Sequence, residues 1–156
     1  MARERYADQV QLLVRLLPIV ADETDFALKG GTAINLFYRD LPRLSVDIDL
    51  TYVPVRDRAG SLADIDAAMD RILNAIDKLP NMRGRRIAGG GRGDTRVQAE
   101  AGNSIVKIET SPVARGTVIP PEAVRFSPAV VEQFGFAIIL SSSESTFPLI
   151  SGIINL

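Results

Sequence analysis

Ser45-Val46-Asp47-Ile48-Asp49-Leu50-Thr51-Tyr52-Val53 is the stretch whose reading decides the fold. Polar and apolar residues alternate along it, the pattern of a half-buried β-strand with Val46, Ile48 and Leu50 turned to a core. Asp47 and Asp49 then share the other face, with Cα atoms roughly 7 Å apart. Two carboxylates at that spacing repel unless positive charge lies between them. A hard divalent cation, which prefers oxygen ligands and keeps positions free for water and phosphate, suits that place.

Upstream, Phe26-Ala27-Leu28 is a short apolar run closed by Gly30-Gly31 and reads as a buried strand. A helix should follow, with Ala33, Ile34, Phe37, Tyr38 and Leu41 on one face and Pro42 as its stop. Nearer the N-terminus, Tyr6, Val10, Leu13, Leu17 and Val20 recur at helical spacing, widened by Leu12 and Leu16. The spacing predicts a helix from about Arg3 to Ala21, with Pro18 kinking or ending it.

Downstream, Leu62, Ile65, Met69, Ile72, Ile76 and Leu79 step 3-4-3-4-3, a helix opened by Ser61 and Asp64 as a variant capping box. Residues 83–93 are rich in Arg and Gly and read as a basic loop, with at most a short strand around Ile87. Thr95 to Ala101 and Ser104 to Ser111 read as strands joined in a tight hairpin at Gly102-Asn103. Val118-Ile119 suggests another short strand. From Ala137 onward the sequence is apolar and lightly charged, with no clear helical or strand period.

Composition excludes several chemistries. The chain has 156 residues, suited to one domain, with 46% hydrophobic and 24% charged residues. It contains no Cys and no His, which removes thiol nucleophiles, imidazole bases and zinc sites of the usual kind. Eighteen Lys and Arg against nineteen Asp and Glu give a net charge of -1, so any polynucleotide must be met by a local basic patch. Met1 to Asp8 has no apolar core of signal-peptide type, and no run of about 18 apolar residues suggests a membrane span. The expectation is a cytoplasmic protein without membrane contact.

Glu109 lies in Val106-Lys107-Ile108-Glu109, with Lys107 and Glu109 opposite a core face. If that strand pairs beside the Asp47 strand, three carboxylates could hold one or two metal ions for in-line phosphoryl chemistry, and Lys107 could offset phosphate charge. Gly30, Gly31 and Thr32 lie between a strand and a helix, where glycine lets the backbone approach a ligand and N–H groups favour phosphate. Thr32 can cap the helix or touch a phosphate oxygen. Taken singly, each feature has a plainer reading. An Asp-x-Asp strand is more often a solvated face, Gly-Gly-Thr a turn, Lys107 with Glu109 a surface ion pair, and the arginines a solvated loop. Their order along the chain is what favours a site.

That order resembles the nucleotidyltransferase superfamily with the DNA polymerase β type of palm. Leu28-Lys29-Gly30-Gly31-Thr32-Ala33, with Arg43-Leu44-Ser45-Val46-Asp47-Ile48-Asp49-Leu50 and the later Lys107-Ile108-Glu109, resembles the AbiEii/AbiGii toxin family more closely. The resemblance runs from about Val10 to Phe136. It implies an α+β fold, a mixed sheet with helices packed on one face. It implies catalysis at Asp47, Asp49 and Glu109, the same three holding Mg²⁺ or Mn²⁺. Gly30, Gly31, Thr32, Ser45 and Lys107 would meet the nucleotide. The implied reaction is transfer of NMP from an NTP to an acceptor hydroxyl, with tRNA as acceptor, in a toxin with a cognate antitoxin.

Family members continue into a helical C-terminal region. Here 1–136 reads as the catalytic lobe and 137–156 as an atypical apolar tail in place of that region. A truncated lobe of this kind would be prone to self-association. Two other readings stay open: a catalytically silent nucleotide- or protein-binding module, and a small-molecule nucleotidyltransferase of the antibiotic-modifying type.

Overall fold

The computed structural model describes residues 2–30, 47–88, 95–117, 120–125, 128, 132 and 146–149. Two helices and seven strands lie among them. Helix α1 (Ala2–Ala21) leads into β1 (Phe26–Lys29). Then come β2 (Asp47–Tyr52), α2 (Arg58–Asp77), β3 (Arg83–Ile87), β4 (Arg96–Ala101), β5 (Ser104–Arg115), β6 (Glu122–Arg125) and β7 (Thr146–Leu149). The strands form one mixed sheet in the order β3-β4-β5-β2-β1-β7-β6. Strand β2 runs parallel to β5 and antiparallel to β1, and β7 runs parallel to β1.

Both helices pack on one face of this sheet. Val10, Leu13, Leu16 and Leu17 of α1 and Ile65, Met69, Ile72 and Ile76 of α2 are buried with Leu28, Ile48, Leu50, Val97, Ala99, Val106 and Ile108 of the strands. The α+β architecture that the family resemblance implies, a mixed sheet with helices on one face, is therefore what the chain adopts. The helix-facing residues are the ones the 3.6- and 2-residue periods select, because only those positions remove apolar area from water together.

Local departures from the expected elements have physical causes. Pro18 does not end α1, which runs on to Ala21. The burial of Leu16, Leu17 and Val20 holds that last turn in place. Helix α2 starts at Arg58, one turn before Ser61, because Asp57 is its cap and accepts from the Gly60 N–H at 3.2 Å. Ser61 is buried inside the helix. Asp64 meets other groups: the Tyr52 hydroxyl and Arg56 both donate to it.

Residues 83–87, expected as loop, are strand β3, paired antiparallel with β4 over all five residues. Arginines at 83, 85 and 86 leave no apolar alternation to mark the strand. Arg83 and Arg85 project to the face away from the helices. Arg86 points the other way and donates to Asp70 at 2.6 Å and Asp66 at 2.7 Å on α2. Gly84 lets α2 come close: a Cβ there would stand 2.5 Å from the Leu73 side chain.

The hairpin between β4 and β5 turns at Gly102-Asn103, with Ala101 opposite Ser104, as expected. Strand β5 continues past Ser111 to Arg115, with an irregularity that takes its register on β2 from Leu50–Thr110 to Tyr52–Arg115. Pro112, which has no N–H for a ladder, lies inside that irregular stretch. Strand β7 falls where the sequence shows no strand period. The helix expected over residues 33–41 and the strand expected at Val118-Ile119 lie outside the described residues.

Candidate active site

The face of the sheet opposite the helices carries the charged side chains of the central strands. Strand β5 does lie beside β2, and the register sets Asp47 opposite Lys107 and Asp49 opposite Glu109. Residues directly opposed across paired strands project from the same face. Asp47, Asp49, Lys107 and Glu109 thus share one patch, although about sixty positions separate the two pairs in the chain. The fold-determining alternation is the reason: Ile48, Val106 and Ile108 are fully buried on the helix side, which forces their neighbours to the other.

Gly30 completes the patch. It follows β1 directly and has a φ of +82°, in the left-handed region that favours glycine. A Cβ at Gly30 would stand 3.0 Å from Asp49 Oδ2. The backbone therefore passes close over the Asp49 carboxyl, and both residues are half-buried. Gly31, Thr32 and Ser45, the other positions expected to meet a nucleotide, lie outside the described residues.

The electrostatics are those of crowded acids. Asp49 is held above the ordinary carboxylate range, first by burial, then by the negative charges of Glu109 and Asp47 and by hydrogen bonding with the Glu109 side chain. The positive charge of Lys29 acts in the opposite sense. The carboxylate oxygens of Asp47, Asp49 and Glu109 are hard donors, the type that Mg²⁺ or Mn²⁺ prefers. Among the described residues, no three acidic groups are gathered into a ready-made cage. Glu109 gives one carboxylate oxygen to Arg96, whose Nε lies 2.8 Å from Oε2.

Lys29 and Arg96 are the site neighbours that the sequence did not single out. Lys29 pairs with Asp49 across β1 and β2, and Arg96 with Glu109 across β4 and β5. Lys29 immediately precedes Gly30, so its place next to the site was available as a signal. Arg96 was not, because its role depends on a hairpin register. At the end of β2, Tyr52 belongs to the scaffold. Its ring is buried edge-on to Phe26 at a centroid distance of 5.5 Å. Burial and the hydrogen bond to Asp64 push its hydroxyl up to about 12.

No helix among the described residues is long and apolar enough to cross a membrane. No curated protein and no solved structure matches the chain. The family model for the nucleotidyl transferase AbiEii toxin, type IV toxin–antitoxin system, matches residues 11–147. That span contains the Gly30 turn, the Asp47–Asp49 strand and the strand bearing Glu109. The chain therefore belongs to the AbiEii nucleotidyl transferase toxin family of type IV toxin–antitoxin systems, a membership that implies a cognate antitoxin.

Proposed function

We propose that the chain transfers an NMP group from an NTP to an acceptor hydroxyl on tRNA, with Mg²⁺ or Mn²⁺ held by Asp47 and Asp49. The observation that carries this reading is the alignment of Asp49 with Glu109 on adjacent parallel strands, directly beneath the Gly30 turn. When bound, the cation would neutralise charge on the triphosphate and on the reacting phosphoryl group. Everything else falls to the side chains and the backbone. Asp47 and Asp49 supply hard oxygen ligands from a strand that the core fixes rigidly. Gly30, without a side chain, lets the main chain lie against the Asp49 carboxyl, and Lys107, exposed beside Asp47, meets phosphate charge.

Gly31, Thr32 and Ser45 are assigned to the nucleotide by the sequence pattern alone. With no His in the chain, the acceptor proton must pass to a carboxylate or to solvent. Glu109 is proposed as the third acidic group. NTP and tRNA are cytoplasmic, so the reading places the protein there too.

One observation favours a second reading. Arg96 already engages Glu109, an arrangement compatible with a silent module that binds nucleotide without turnover. Incubation with each α-labelled NTP, total tRNA and Mg²⁺ separates the two. The transferase reading expects label on tRNA from the wild type and none from Asp49→Asn. Tight Mg²⁺-dependent NTP binding without label transfer to RNA or to small acceptors would select the silent module.

A further inference from the structure

Lys29, Asp49, Glu109 and Arg96 stand in one row across four neighbouring strands, two acids in the middle and a base at each end. The register fixes the row: Lys29 opposite Asp49, Asp49 opposite Glu109, and Glu109 opposite Arg96. All four project from the face without helices. Arg96 Nε lies 2.8 Å from Glu109 Oε2, and the two side chains keep 43% and 32% of their exposure. A pair this accessible is held weakly, since solvent screens it and two long side chains must be immobilised. It can be exchanged at little cost.

The other arginines of this sheet region are placed differently. Arg86 is committed to two aspartates on the helix side, with only 18% of its side chain exposed. Arg85 pairs with Glu100 at 3.5 Å and lies on β3, one strand farther from the carboxylates. Arg96 alone among these three touches an acid of the site. Its planar fork of donors matches a phosphate in a way that an ammonium does not.

We infer that Arg96 is an exchangeable counter-charge: it holds Glu109 while no cation is bound, and passes to the nucleotide phosphates when a cation takes Glu109. This rests on the cation-dependent nucleotide reading above. Arg96 thereby competes with the metal for one carboxylate and cooperates with it on the triphosphate. A static positive charge would also act oppositely on the two affinities, so Arg96→Lys, which keeps the charge and loses the planar fork, isolates the phosphate contact.

The test titrates Mn²⁺ by electron paramagnetic resonance, alone and with a non-hydrolysable NTP analogue. The proteins are wild type, Arg96→Gln, Arg96→Lys and Arg85→Gln, each checked for folding by circular dichroism. Arg96→Gln is expected to tighten Mn²⁺ alone by about three- to fivefold, as a competing exposed ion pair is removed. It is expected to weaken the Mn²⁺–nucleotide complex about tenfold, through loss of a charge-assisted phosphate contact. Arg85→Gln should change neither. If Arg96→Gln does not fold, Arg96→Lys carries the test: Mn²⁺ alone close to wild type, nucleotide affinity reduced. Both affinities moving together, or neither moving, would overturn the exchange. A folded wild type that takes up neither Mn²⁺ nor nucleotide would overturn the proposed function, and the exchange with it.

Discussion

On one face of the sheet Ile48, Leu50, Val97, Ala99, Val106 and Ile108 are sealed under α1 and α2. On the other face Asp47, Asp49, Lys107 and Glu109, from two of the same strands, keep contact with solvent. The two sets alternate residue by residue along the backbone. The buried set is selected for apolar area, and any loss there is felt by the whole fold. The exposed set is selected for charge, and it places three acids close together at some expense to stability. The contrast teaches that the site is rigid because its immediate neighbours in sequence are core residues. It also implies that mutations on the two faces should separate cleanly into those that change folding and those that change binding.

The largest expected effect lies on the helix side. Ile72 is 1% exposed in the middle of α2. Ile72→Ala should destabilise by roughly 2–5 kcal/mol, as a cavity forms where the surroundings relax only in part. Urea denaturation measures this, and cation-dependent nucleotide binding per folded molecule should be unchanged. Binding lost in proportion to nothing but the side-chain change would break the separation of faces.

Gly30→Ala sits on the boundary and should affect both properties. The left-handed φ costs an alanine on the order of 1–3 kcal/mol. The added methyl would also press on Asp49 Oδ2, 3.0 Å away. Lower stability by thermal melting, together with weakened Mn²⁺ binding, is the expected outcome. Normal metal binding would show that the Gly30 turn and the Asp49 carboxyl are independent.

Tyr52→Phe is a smaller change on the buried side. The ring stays, the hydroxyl is lost, and Asp64 keeps Arg56 at 2.8 Å. A loss of about 0.5–1.5 kcal/mol is expected from chemical denaturation, the net value of one hydrogen bond. A larger loss would mean that the Tyr52–Asp64 contact is the main tie between β2 and α2.

The smallest effect has the opposite sign. Because the folded state raises Asp49 above its unfolded value, ionised Asp49 opposes folding at neutral pH. Asp49→Asn should therefore raise the thermal midpoint at pH 7 slightly while abolishing cation-dependent nucleotide binding. The sign can be checked by pH. Below the ordinary aspartate pKa of about 3.9, Asp49 is protonated whether folded or not, so the relative gain should vanish; it should grow as pH rises through the elevated value. A mutant less stable than wild type at pH 7 would mean that Asp49 has a structural partner stronger than its repulsion from Asp47 and Glu109.

Much of this was legible in the sequence because two periods are hard to mistake. The alternation at Asp47–Tyr52 fixed both the strand and the shared face of the two aspartates. The 3-4 spacing from Ile65 to Ile76 fixed the buried side of α2. Glu109 and Lys107 could be placed on a strand, and only the pairing of β5 with β2 brought them to the aspartates. What the pattern hid was register and exception. Arg83 to Ile87 carries charge at most positions, so β3 shows no hydrophobic alternation, and Arg86 turns inward only because α2 offers Asp66 and Asp70. Arg96 reaches the site through the exact pairing of a hairpin with its neighbour, a non-local fact that no window of sequence contains. Pro18 is the reverse case, a local rule overridden by the burial of the residues around it.

The central claim is that the helix-free face binds an NTP through a cation held by Asp47 and Asp49. Calorimetric titration of each NTP, with and without Mg²⁺, on wild type and on Asp47→Ala tests it most directly. The account expects heat of binding only where Mg²⁺ and Asp47 are both present, with the fold of Asp47→Ala unchanged by circular dichroism. Equal NTP binding by wild type and Asp47→Ala, or by wild type with and without Mg²⁺, would contradict it.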